Sequence, residues 1–479
     1  MSDPALLTVA EMTSAFRRRL LSPVDVAKAA LSRVERFEPD VNAFRMVDWE
    51  GAMATAIASE ARYARGEPLG PLDGVPATVK DNIAMAGVSS RRGSLVMPDE
   101  PVPYDAPSTA RLREAGCVIL GKTTLPEMGW IGVGDCPLTG ITRNPWDTRM
   151  TPGGSSSGAA AAAALGMGTL HIGTDGAGSI RIPSSFTGIF GLKPSFGRVP
   201  AYPASPFAVL SHVGPMTRNV ADAAAMLNAL ARPDERDMFA WNTPAPDYRV
   251  GLCDGVKGLR VAFSPRLGFV ERIDPEVEQL VAEAALVLAE MGAHVEEADP
   301  GFPDPFGIIE PMWFAGAHAA LAGVPDADRA SMDPGLVAVA KAGEGVSGAA
   351  YLAALGRRTE VAAAMNRLHA RYDLLLTPAM PLPAFEAGLD APEGWERPGP
   401  LAWCGWAPFC YPFNLTQAPA ASVPCGFTSH GLPVGLQIVG PVRADQLVLR
   451  AARAFEAARP FRMPHAPNPT HRPAATPAA

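Results

Sequence analysis

The sequence predicts an α/β protein: a single large α/β/α sandwich whose mixed, twisted β-sheet is covered by helices on both faces, with a helical shoulder at the N-terminus. From Gly74 onward, short β-branched runs alternate with helical runs, the pattern of a sheet wrapped by helices. The strand candidates are near-continuous apolar runs, as expected of strands buried on both faces. A chain of 479 residues with 48% hydrophobic and 19% charged residues can bury a sizeable core.

In chain order, Ser22-Pro23 supplies an N-cap followed by a proline at the first helical position, and VDVAKAALSRVERF carries apolar residues at helical spacing. A second amphipathic stretch runs from about Gly51 to Ala64, so residues 1–70 make up the shoulder. GVPATVK and CVILG read as strands, with STARLREA as the helix between them. LRVAFS and AHVEEA are further strands around the long helix PEVEQLVAEAALVLAEMG. DLLLTP and LPVGLQIVG complete the strand candidates. One domain is expected over 1–459, and the Pro/Ala-rich segment 460–479 is expected to be a loose extension.

Lys plus Arg is 41 against 49 Asp plus Glu, a net charge of −8, and neither sign forms a run able to track a phosphate backbone. No nucleic-acid partner is expected. The 6 cysteines are dispersed without a C-x-x-C, which suits a reducing cytoplasm and points to neither a disulfide framework nor a zinc site. The N-terminus lacks the order of a signal peptide, and no stretch of about 18 apolar residues suggests a membrane span.

The densest chemical signal is TPGGSSSGAAAAAALGMGTLHIGTDGAGSIRIPSSFTGIFGLKPSFGRVP, Thr151 to Pro200. Small residues let backbones approach closely and present N–H groups to a developing oxyanion. Interleaved apolar runs argue for burial and against a flexible linker. Two motifs mislead. Gly116, Gly121, Lys122 and Thr123 satisfy G-x-x-x-x-G-K-T, but the expected strand lies between the glycines and the helix precedes them, the reverse of a phosphate-binding loop. Gly154-Ser155-Ser156-Ser157-Gly158 satisfies G-x-S-x-G, which would make Ser156 the nucleophile of a Ser-His-Asp esterase, yet no histidine has a distinctive setting. A third reading starts from Lys80, which closes an apolar strand. It is either a surface lysine or a buried amine that desolvation makes a general base.

Six blocks resemble the amidase signature family in content and order: GVPATVKDNI, NPWDTRMTPGGSSSGAAAAAA, GTDGAGSIRIPSSFTGIFGLKPSFGRVP, HVGPMTRNVADAA, DLLLTPAMP and PFNLTQAPAASVPCGFTSHGLPVGLQIVG. The resemblance covers most of the chain. It implies an amidase that cleaves carbon-nitrogen bonds through an acyl-enzyme without metal or organic cofactor. By position, the family's lysine falls on Lys80, its serine with a cis peptide on Ser155, and its nucleophile on Ser179. The implied oxyanion hole is the N–H groups of Gly176, Ala177, Gly178 and Ser179. Asp175 and Arg181 flank the nucleophile as supporting residues. The chain departs from the family pattern at Ala177 and at Ser157, where glycines are usual. Ala177 fits if its backbone lies outside the glycine-only region.

Met128, Gly129 and Trp130 match a segment that borders the family's acyl channel. The stretches around Met312-Trp313-Phe314 and Trp403 to Phe413 are either core or further channel wall. If they are wall, small apolar or aryl amides, and aryl esters or carbamates, are preferred over charged substrates. A rival function is the glutaminase-type component of an aminoacyl-tRNA amidotransferase complex. WCGWAPFCYPFNLT looks more like the free-standing amidases, so a monomer or homodimer acting on a small-molecule amide is expected.

Overall fold

The computed structural model describes residues 3–464 and 466–467, so most of the Pro/Ala-rich tail lies outside the described residues. The start of that segment is packed, not loose: Phe461 stacks on Phe427 with ring centroids 4.5 Å apart and meets Trp146 edge-on at 5.9 Å.

The strands are β1 Phe44–Val47, β2 Pro76–Lys80, β3 Val118–Thr123, β4 Asp135–Cys136, β5 Gly140–Ile141, β6 Leu170–Asp175, β7 Phe190–Lys193, β8 His212–Thr217, β9 Arg260–Phe263, β10 His294–Glu297, β11 Leu374–Pro378, β12 Ala420–Phe427 and β13 Pro433–Val439. Eleven form one sheet in the order β1-β3-β2-β6-β8-β7-β12-β13-β11-β9-β10, while β4 and β5 pair separately. The blocks β3-β2-β6 and β11-β9-β10 are parallel, and the strands between them pair antiparallel. The sheet is therefore mixed, as the sequence predicts.

The shoulder is built from α1 Val9–Arg17, α2 Pro23–Val41 and α3 Trp49–Arg65. Ser22 caps α2: its hydroxyl accepts from the N–H groups of Val24 and Asp25, and Asp25 reciprocates in a capping box. The remaining helices near the site are α4 Pro107–Glu114, α5 Ser157–Ala164, α6 Arg181–Thr187, α7 Val220–Leu230 and α8 Pro275–Glu290. Strand β3 shows why its sequence is apolar throughout. Val118 and Leu120 pack among α2, α3 and α5, while Ile119 joins Val79, Leu112 and Leu227 in a different core cluster. Successive side chains point to opposite faces, and both faces are covered.

The Gly-Ala run folds as α5, buried on every side, which is what a helix apolar all round must do. A Cβ at Gly158 would stand 2.0 Å from the Ala43 carbonyl oxygen, so only glycine lets α5 approach so closely. The G-x-x-x-x-G-K-T residues Gly121, Lys122 and Thr123 lie inside β3, with α4 before them, as the sequence predicts. Strands β2 and β6 run parallel with Val79 opposite Ile172. Lys80 and Asp175 consequently emerge at the same end of the sheet, where open α/β sheets place their sites.

Candidate active site

Lys80 is the last residue of β2 and is fully buried. Its Nζ lies 2.8 Å from Ser155 Oγ and 2.9 Å from both Ser156 Oγ and Thr174 Oγ1. Burial pulls its pKa well below the ordinary 10.5, with the charge of Asp175 opposing. The alternative of a surface lysine is thereby removed.

The three hydroxyls around this amine are not equivalent. Ser156 Oγ donates to the Thr174 carbonyl at 3.1 Å and accepts from the Thr174 N–H at 3.2 Å. Thr174 Oγ1 also accepts from Asn82 Nδ2 at 3.2 Å. Ser155 Oγ has Lys80 as its one hydrogen-bond partner among the described residues. A neutral amine keeps a lone pair that must accept from a hydroxyl, and among the described residues Ser155 and Thr174 have their protons unengaged while Ser156 does not. The Gly154–Ser155 peptide is cis, as the resemblance implies.

Ser179 sits between β6 and α6, 7% exposed, and lines with Ser155 a cavity of about 100 Å³. Its hydroxyl has no partner among the described residues, and no hydrogen bond joins it to Ser155 Oγ. The two segments are tied through the backbone, Ser156 N–H donating to the Ser179 carbonyl at 3.1 Å. Ser156, by contrast, is wholly buried, bonded on all sides and absent from the cavity wall. Among the described residues no histidine lines the cavity either. His171 Nδ1 is 2.8 Å from Thr78 Oγ1, and burial pushes its pKa down to about 3.

Asp175 organises the loop that bears Ser179. Its carboxylate accepts from the N–H of Gly178 at 2.8 Å and of Ile180 at 3.1 Å, and from Arg181 Nε at 3.0 Å. Burial alone would raise its pKa, but the Arg181 guanidinium outweighs this and holds the carboxyl well below the usual range. Of the four expected oxyanion donors, the Gly178 N–H is engaged by Asp175, whereas the N–H groups of Gly176, Ala177 and Ser179 have no acceptor among the described residues. Gly178 has φ +129, and a Cβ there would meet Cys410 Cβ at 2.6 Å, so glycine is required. Ala177 is absent from the positive-φ residues, which is why alanine is accepted one position earlier.

Two residues of this network were not legible from the sequence. Asn414 Nδ2 donates to Asp175 at 2.9 Å, and its Oδ1 accepts from Arg181 at 2.6 Å. Gln437 Oε1 accepts from Arg181 at 2.8 Å. Both lie inside blocks that carry the family resemblance, PFNLT and GLQIVG, and that was the available signal.

Of the three channel residues expected, Met128 and Gly129 line the cavity and Trp130 does not. A Cβ at Gly129 would stand 3.2 Å from Ser155 Oγ, so this glycine keeps that hydroxyl accessible. The Trp130 indole is 2% exposed and turned into the wall, where a Cβ at Gly335 would meet it at 2.6 Å. Its carbonyl instead accepts from Trp313 Nε1 at 3.1 Å, and Trp313 lines the cavity, stacked on Phe207 with centroids 4.2 Å apart. Met312 and Trp403 are core. Among the described residues no group of His, Cys, Asp and Glu side chains could hold a metal ion, and no helix is long and apolar enough to cross a membrane.

Comparison with known proteins places the chain in a family. The amidase family model matches residues 25–449. An acylamidase of Rhodococcus erythropolis is 38% identical over 467 residues, covering 95% of this chain and 96% of its own. The A component of the glutamyl-tRNA(Gln) amidotransferase of Myxococcus xanthus is 37% identical, covering 95% and 98%. Among solved structures, a bacterial aryl acylamidase of the amidase signature enzymes superposes with TM-score 0.87 at 31% identity, covering 95% and 96%. The protein is an amide-hydrolysing enzyme, and the chain belongs to the amidase signature family.

Proposed function

We propose that Ser179 is the nucleophile of an acyl-enzyme mechanism in which Lys80 is the base and Ser155 the relay. The observation that carries this is the buried amine of Lys80, 2.8 Å from a serine hydroxyl that has no other partner among the described residues and lines the same cavity as Ser179. The neutral amine takes the Ser155 proton as Ser155 takes that of Ser179, and Ser179 Oγ bonds to the carbonyl carbon. The negative charge on the carbonyl oxygen is met by the N–H groups of Gly176, Ala177 and Ser179, each such donor contributing on the order of 10²-fold or more. On collapse the C–N bond breaks, and the relay returns the proton from Lys80 through Ser155 to the leaving nitrogen. Water then takes the place of the amine, loses its proton by the same relay and releases the acid.

The substrate is a small-molecule amide. The cavity that Ser155 and Ser179 line has a volume of about 100 Å³. Met128, Trp313 and Phe207 make its walls apolar, and no carboxylate lines it among the described residues. An α-ammonium group would enter without a counter-charge, which disfavours glutamine and asparagine. Free cysteines, all of those in the chain, suit a cytoplasmic enzyme. A kinetic comparison tests this reading: purified enzyme is expected to give a higher kcat/KM for acetanilide than for glutamine or asparagine. A preference for either amino acid, or glutaminase activity that appears only with added partner proteins, would replace it with the amidotransferase reading.

A further inference from the structure

The wall of the cavity carries a single charge. Among the described residues that line it, Arg92 is the one side chain charged at neutral pH. Four cations surround the loop that bears it, and three of them have acid partners. Arg45 and Lys122 share the buried Asp81, at 3.1 and 3.2 Å, and Arg91 lies 3.1 Å from Asp99. The Arg92 guanidinium has no acceptor among the described residues.

The backbone of Arg92 is clamped between the two halves of the site. Its N–H donates to Asp81 Oδ2 at 2.8 Å, next to Lys80, and its carbonyl accepts from the Met128 N–H at 2.8 Å. It is held at φ +54, a conformation that a non-glycine residue keeps only when its surroundings over-determine it. The loop thus places Arg92, half-buried and without a side-chain hydrogen-bond or ion-pair partner among the described residues, on the wall of the cavity that holds Ser155 and Ser179. Guanidinium is planar, permanently charged and matched to carboxylate by two parallel hydrogen bonds.

We propose that Arg92 is a specificity residue that binds a carboxylate carried by the substrate away from the scissile amide. The preferred substrates are then anionic amides: a small apolar acyl or aryl amide with one acid group. A cation would meet repulsion and no counter-charge. The inference rests on the reading of this cavity as the amidase site and adds to it the sign of the substrate.

Two matched pairs test it. With the acid on the acyl side, succinic monoanilide is compared with the anilide carrying a methyl ketone in place of the carboxylate. With the acid on the amine side, 4-acetamidobenzoate is compared with its methyl-ketone counterpart. On one of the two arms the wild-type enzyme is expected to favour the acid by about 10- to 100-fold in kcat/KM, the worth of a charge-assisted hydrogen bond. That preference should shrink as salt is raised. Arg92→Met should bring the acid-to-ketone ratio near one, and Arg92→Lys should retain part of it. Taking the ratio within one preparation cancels differences in folded fraction. No preference for the acid on either arm, or a ratio unchanged in Arg92→Met, overturns the proposal. If the wild type hydrolyses neither member of either pair, the amidase reading of the cavity falls first and this inference with it. Turnover of the ketones without acid preference removes this inference alone.

Discussion

Ser179→Ala is expected to lower amide turnover by on the order of 10³-fold or more, because no other group can form the covalent intermediate. Ser156→Ala is the matched control, since Ser156 is the serine that the G-x-S-x-G pattern singles out. Its hydroxyl accepts from Lys80 and Thr174 and donates to the Thr174 carbonyl, so it is occupied in holding the amine and the end of β6. Removing it costs hydrogen bonds but not the nucleophile. Such bonds are worth about 1–3 kcal/mol, which bounds the loss at roughly 100-fold. Steady-state kinetics on acetanilide separates the two; an inactive Ser156→Ala beside an active Ser179→Ala would exchange their roles.

Lys80→Met is the second large effect, with a loss of about 10²- to 10⁴-fold, the usual contribution of a positioned general base. The sign of the pH dependence follows from burial. As the proposed base, Lys80 must be a neutral amine, and burial sets its pKa well below 10.5 in the folded protein. Activity should therefore fall as pH drops through that lowered value, and be present at pH values where a solvated lysine would still be charged. The same shift means that protonation favours the unfolded chain, so stability rises with pH across the window between folded and unfolded values. Replacing this amine by an uncharged thioether removes that cost, and the variant is expected to fold. The check is a pair of kcat/KM profiles against pH with thermal melts of both proteins. A folded Lys80→Met enzyme with near wild-type turnover and an unchanged acid limb would exclude Lys80 as the base.

Most strands on either side of the antiparallel centre were legible because they are plain apolar runs, whereas the edge strand β1 was not among the candidates. GVPATVK, LRVAFS, AHVEEA, DLLLTP and LPVGLQIVG each contain an observed strand, and CVILG covers the first part of β3. The central antiparallel strands β7, β8 and β12 were not, since FGLK, HVGPMT and AASVPCGF carry the Gly and Pro that strand preference disfavours. Burial between neighbours on both sides overrides that preference, and Gly191 shows why the residue is needed. A Cβ there would stand 2.1 Å from Ser184 Oγ of α6.

In the site, Lys80, Ser155 and Ser179 were readable only through the family resemblance, because a lysine after an apolar strand has two possible environments. What decides between them is a tertiary fact, the closure of β6 and the 154–156 turn over its amine. Trp130 and Trp313 teach the same lesson from the wall. Both are tryptophans that the sequence offers as channel wall or core, and the fold, with Trp313 stacked on Phe207, puts Trp313 and not Trp130 on the cavity wall. Arg92 carried no signal at all. Its significance lies in the partners that Arg45, Arg91 and Lys122 have and it lacks.

The central claim is that Ser179 becomes covalently bonded to the carbonyl carbon. It is tested most directly by mapping the site of a serine-directed label. The enzyme is treated with a sulfonyl fluoride, digested, and its peptides are sequenced by mass spectrometry. The mechanism predicts one label per chain, on Ser179, forming far more slowly in Lys80→Met. A label on Ser155 or Ser156 with Ser179 unmodified would contradict it.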